Sequence, residues 1–67
     1  MTYELWETRS GNLMGAFTSQ QEALNAVRRA IDLHGPHYTR TVVLAVEDET
    51  GETTTLAQGK ALAELCR

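Results

Sequence analysis

The chain has 67 residues, a formal net charge of −3 and one cysteine. A chain this short holds a single hydrophobic core and buries only roughly 60% of the surface its unfolded form exposes, so residues 1–67 are expected to make one domain. The acidic balance works against sequence-independent attraction to nucleic acid or anionic membranes, and a lone cysteine excludes an internal disulfide.

No apolar run approaches the ~18 residues that a membrane span requires. The start, Met1-Thr2-Tyr3-Glu4, has neither the charged nor the apolar region of a secretory leader. The expectation is a cytoplasmic, non-membrane protein. Domains this small usually gain stability from disulfides, a metal or a second subunit. With the first ruled out and a poor set of metal ligands, self-association is the expected staple.

From Thr2 to Thr8, TYELWET alternates apolar with polar residues and is rich in aromatic and Thr side chains, the pattern of a half-buried strand. Arg9-Ser10-Gly11-Asn12 is a turn cluster, and Leu13 to Thr18 returns as the second arm of a hairpin. Ser19-Gln20-Gln21-Glu22 fits a capping box, in which Ser19 accepts from the Glu22 N–H and the Glu22 carboxylate reaches back to the Ser19 N–H. A helix is predicted from there. Leu24, Val27, Ile31 and His34 recur at spacings of three and four, widened by Ala23, Ala26 and Ala30, and Gly35-Pro36 stops the helix near His34.

His37 to Arg40 is expected to be a linker. Thr41 to Glu47, TVVLAVE, is apolar on both alternating sets and predicts a central strand. After the turn Asp48-Glu49-Thr50-Gly51, the Thr-rich Glu52 to Leu56 is expected to return as a polar strand near an edge, broken by Ala57-Gln58-Gly59. Lys60 onward predicts a short C-terminal helix with Ala61, Leu62 and Leu65 on its buried face. The fold class expected is α+β in the order β-β-α-β-β-α, a four-stranded, mainly antiparallel sheet with two helices on one face. Glu7 with Gly11, Glu47 with Gly51, and the pairs Ala23-Leu24 and Ala61-Leu62 are what a duplicated ββα unit would leave, although such matches also arise by chance.

No catalytic constellation emerges. His34 and His37 need further ligands to hold a metal, and their simpler reading is a helix C-terminus and a loop. Cys66, next to the chain end, is expected to fray or pack rather than act as a nucleophile. The acidic Glu47-Asp48-Glu49 with Glu52 does not have the spacing of a calcium loop and reads as a solvated turn. Arg28 has Asp32 four positions later and reads as an exposed helix face. The expectation is therefore no enzyme, no cofactor and no metal.

Trp6 is the residue without a bland account. It alternates with Leu5, so two large apolar side chains point to opposite faces of the sheet. Depending on register, the face away from the helices carries Glu4, Trp6 and Thr8 with Met14 and Ala16, or Tyr3 and Leu5 with the same pair, joined by Val43 or Ala45 from the third strand. Such a face is seldom left in water. The candidate interface is Trp6, Met14, Ala16, Val43 and Ala45, against the alternative that Trp6 merely shields Gly15 across the strand.

The string YELWETRSGNLMGAFTSQQEAL, with aromatic-x-Leu-Trp, an acid, Gly-Asn, apolar residues and Glu-Ala-Leu, resembles short bacterial proteins of unknown function over nearly the whole chain. That resemblance implies no activity. Residues 3–38, through Gly15, Phe17, Ser19, Glu22 and Ala23, are also similar to the hybrid-binding module at the N-terminus of some ribonucleases H, which implies nucleic-acid binding; this chain has few basic residues at the relevant places. The expected function is a non-catalytic interaction or regulatory module that dimerises through its sheet or meets another protein. The alternative is a nucleic-acid binder in which Trp6 and Tyr38 stack on bases and Arg9, Arg28, Arg29 and Arg40 meet phosphates.

Overall fold

The computed structural model describes residues 1–66. Strand β1 (Thr2–Glu7) and strand β2 (Asn12–Phe17) form a hairpin, followed by helix α1 (Gln20–His34), a 3-10 segment (Pro36–Thr41), strand β3 (Val42–Glu47), strand β4 (Thr53–Gln58) and helix α2 (Gly59–Leu65). All neighbouring strands are antiparallel, in the order β2-β1-β3-β4. The expected α+β architecture is what forms.

The two central strands fix the rest. Leu5 pairs with Leu44, Tyr3 with Val46 and Glu7 with Val42. Since residues directly opposite share a face, this set points one way and Trp6, paired with Val43, points the other. Leu5, Val42, Leu44 and Ala57 of the sheet close a core with Ala23, Leu24 and Val27 of α1, Leu62 of α2 and Cys66 just after it. Both helices therefore cover one face. Val27, Val42, Leu44 and Leu62 are fully buried, and each contributes about 1.5–3 kcal/mol of apolar burial.

The helix α1 starts where the sequence says, but only half of its capping box forms. Ser19 Oγ accepts from the Glu22 N–H at 3.2 Å, whereas the Glu22 carboxylate accepts from the Thr18 hydroxyl at 3.4 Å. At the other end the Gly35 N–H donates to Ile31 C=O at 2.7 Å, with Gly35 at φ 93°, ψ 170°. That positive φ is one that glycine adopts readily, but the ψ is not that of a left-handed helical cap, and the turn launches the 3-10 segment in place of the expected linker. Thr39 of this segment is buried and its hydroxyl donates to Pro36 C=O.

Strand β4 runs two residues further than expected, because Ala57 pairs with Leu44 and enters the core. The break falls at Gly59, which has φ 56° and opens α2. On α2 Leu62 is buried, as is the C-cap residue Cys66 four positions on, while Leu65 and Ala61 are exposed. The buried face is therefore rotated from the expected Ala61, Leu62 and Leu65, because Cys66 packs into the core beside Leu62.

Each hairpin carries one irregularity at the corresponding place. In the first, Leu5 pairs with Gly15 and Trp6 with Leu13, so Met14 is an extra residue in the outer strand. In the second, Leu44 pairs with Ala57 and Ala45 with Thr55, so Leu56 is extra. Leu5 and Leu44 are themselves partners, so the two irregularities lie symmetrically about that central pair.

Candidate interaction surface

The face away from the helices is laid out in rows across the strands. One row runs Leu13, Trp6, Val43, Gln58; the next Ala16, Glu4, Ala45, Thr55; the third begins at Thr2 and continues through Glu47 and Thr53. The first row is apolar over three strands. Leu13 is 48% exposed, Trp6 and Val43 are half-buried, and Ala45 lies low between larger neighbours at 3%. In these rows the charged side chains are Glu4 and Glu47.

Trp6 is held rather than loose. Its indole Nε1–H donates to Glu4 Oε1 at 3.3 Å, which satisfies the polar end of the ring and leaves its apolar body for contact. Glu4 and Trp6 are on the same face because they are two apart in a strand. The two together with Val43 and Ala45 make a platform whose backbone is fixed by three ladders.

Of the candidate residues, the structure brings Trp6, Ala16, Val43 and Ala45 onto this face. Met14 is set apart. As the bulge residue it leaves the Trp6 row, and its Sδ accepts from the Tyr38 hydroxyl at 3.9 Å. Leu13 takes its place opposite Trp6. Counting alternation from Gly11 misses this, since an extra residue in a strand leaves no mark in the hydrophobic pattern. Gly15 is not shielded by Trp6 either: it pairs with Leu5, and a Cβ there would meet the Phe17 ring at 3.1 Å.

Trp6 and Tyr38 lie on opposite sides of the sheet. Tyr38 packs against the core cluster on the helical side, stacked on His34 with ring centroids 5.6 Å apart, and burial pushes its phenol above the ordinary value. The two aromatics therefore do not form a single stacking platform.

Cys66 is not frayed. It is buried, its thiol donates to Leu24 C=O at 3.8 Å, and its own carbonyl accepts from Arg28 Nε at 2.7 Å. Burial pushes the thiol up, an effect that the Arg28 charge opposes only in part, and the nucleophilic thiolate is disfavoured. A surface depression of about 290 Å³ lined by Arg28, Ile31, Asp32, Pro36, Ala63 and Cys66 opens beside that thiol. Among the described residues no group of three His, Cys, Asp or Glu side chains comes together as a metal set, and no helix is long and apolar enough to cross a membrane. No protein-family description, curated protein or solved structure matches the chain.

Proposed function

We propose that the chain is a non-catalytic interaction module that associates with a second copy of itself through the open face of its sheet. The observation that carries this reading is the row Leu13, Trp6, Val43, backed by Ala45, on the side that neither helix covers. Apolar surface gathered in this way is the usual mark of an interface, and the aromatic anchor at its centre is the residue type that most often dominates one.

Size supports a copy rather than a short peptide. Four strands of six residues make a face of roughly 19 by 20 Å, and side-chain relief raises its accessible area toward the ~600 Å² per partner at the low end of specific interfaces. Almost the whole face must therefore engage, which a second identical sheet does and a single extended strand does not. Glu4 and Glu47 on the same face oppose a phosphate backbone.

Mass measured across concentration tests the proposal. The parent chain is expected to dimerise, and Trp6→Ala to weaken the dimer by about tenfold or more while the melting temperature of the monomer falls by only a few degrees. A parent that stays monomeric at millimolar concentration, or a Trp6→Ala chain of unchanged mass and lowered melting point, removes the reading.

A further inference from the structure

The sheet carries charge of one sign only. Its strands, TYELWE, NLMGAF, VVLAVE and TTTLAQ, contain no Lys, Arg or His, and their acids are Glu4, Glu7 and Glu47. Glu7 shares the side of Leu5 and Val42 and is turned onto its own hairpin, where it accepts from the N–H groups of Arg9 and Ser10. Glu4 and Glu47 stand on the open face, both half-buried, one paired with Ala45 and the other two residues beyond Ala45 on β3. Strand geometry puts them about 7 and 13 Å from the row Leu13, Trp6, Val43, inside the area that a second copy must cover.

From this we infer that association through the open face is coupled to proton uptake, an inference that rests on the self-association proposed above: the dimer tightens in mild acid and loosens toward neutrality. Two copies placed face to face bring four carboxylates into one interface. However one sheet is rotated over the other, the facing strands supply no cation to meet them. A carboxylate that loses water without gaining a cation is disfavoured in its charged form, and neighbouring carboxylates add to the effect. Proton uptake removes both penalties and supplies a hydroxyl donor for an acceptor across the interface.

The other charged groups belong elsewhere in the fold. Arg28, Arg29, Asp32 and His34 are on α1, and Lys60 and Glu64 on α2. His37 and Arg40 lie in the 3-10 segment, which packs against both helices, and Arg9 lies in the hairpin turn after β1. Beside Glu47 are the turn acids Asp48, Glu49 and Glu52 and, before its partner Thr2, the amino group of Met1. One ammonium there stands against four acids. Glu4 carries most of the coupling, because its cross-strand neighbours Ala16 and Ala45 are apolar. Its Oε1 accepts from the Trp6 Nε1–H at 3.3 Å, and the carbonyl oxygen of the neutral acid accepts that bond as well. Protonation therefore leaves Trp6 in place and takes away only the charge.

Sedimentation from about pH 4.5 to about pH 7.5 reads the coupling, above the range in which the ordinary carboxylates of the free chain titrate. Because the paired face holds protons more tightly than the free one, the gain is complete in acid and is lost as pH rises. The parent is expected to dimerise about tenfold or more tightly at the acid end than at the neutral end, the change that one net proton per dimer gives over about one pH unit. Glu4→Gln with Glu47→Gln keeps the shape and removes the charge. That variant is expected to show a flat profile and, at neutral pH, an affinity within about threefold of the parent's in acid. Glu49→Gln with Glu52→Gln removes as much net charge from the turn and is expected to keep the parent's profile. A parent dimer of constant affinity, a face variant that keeps the pH dependence, or a turn variant that flattens it equally overturns the coupling while leaving sheet-mediated self-association standing. Should the double face variant fail to fold, Glu4→Gln alone is expected to flatten most of the profile, and a full parent profile in it overturns the coupling. A parent chain that stays monomeric at every pH overturns both proposals.

Discussion

Arg28 Nε donates to the carbonyl of Cys66 at 2.7 Å and ties the middle of α1 to the last turn of α2. A seven-residue helix has too few internal hydrogen bonds to persist alone, so this bond and the buried Leu62 and Cys66 side chains keep α2 on the sheet. Arg28→Ala is expected to cost about 1 kcal/mol in denaturant unfolding. It also loosens the turn over the thiol, and labelling of Cys66 by a thiol reagent is expected to quicken several-fold in native buffer. Unchanged labelling would mean that packing alone holds α2.

Two hairpin turns make the fold sensitive to acid. Ser10 donates hydroxyl and N–H to the Glu7 carboxylate, which holds it below its ordinary value, and Thr50 does the same for Asp48 at 2.6 Å from its hydroxyl and 2.9 Å from its N–H. Both carboxylates ionise more readily folded than unfolded. Their contribution is complete above the unfolded values near 4 and is lost as pH falls through the lower folded values. Stability is expected to decline as pH falls below about 4, and Glu7→Gln with Asp48→Asn to flatten that part of the curve. Thermal melts at half-unit pH steps give the comparison.

Gly15 sits under the ring of Phe17. A methyl group at this position meets two ring carbons at 3.1 and 3.2 Å, and Phe17 is packed against the core. Gly15→Ala must therefore push the ring outward, offsetting the usual gain of replacing a strand glycine. A loss of roughly 1 kcal/mol is expected, and Gly15→Ala with Phe17→Leu should recover most of it. A stabilised single variant would show that the ring moves freely.

The parts of the fold legible in the sequence were those written in local chemistry. Ser19 and Gly35-Pro36 mark the ends of α1, and the doubly apolar run around Leu44 marks a strand covered on one side and half-covered on the other. The candidate surface was legible through Trp6, because its alternation with Leu5 forces the two side chains apart. The sequence pattern does not show that Met14 leaves the face and Leu13 faces Trp6 instead, since the extra residue in β2 is set by how the hairpin fits its neighbours. The same holds for Ala57, drawn into the core past a bulge at Leu56. The 3-10 turn around Thr39 has no periodic signal, and the docking of Cys66 depends on Arg28, 38 positions earlier.

The paired irregularities at Met14 and Leu56 bear on colloidal behaviour. Both outer strands, NLMGAF and TTTLAQ, lack charge and proline, the residues that ordinarily stop one sheet from templating the next. An extra residue in each twists the rim and interrupts the evenly spaced donors and acceptors that a growing fibril would copy. Removing Met14 joins Leu13 to Gly15 and straightens that rim. The shortened chain is expected to fold with the same two helices and to convert to thioflavin-positive filaments at concentrations where the parent remains clear.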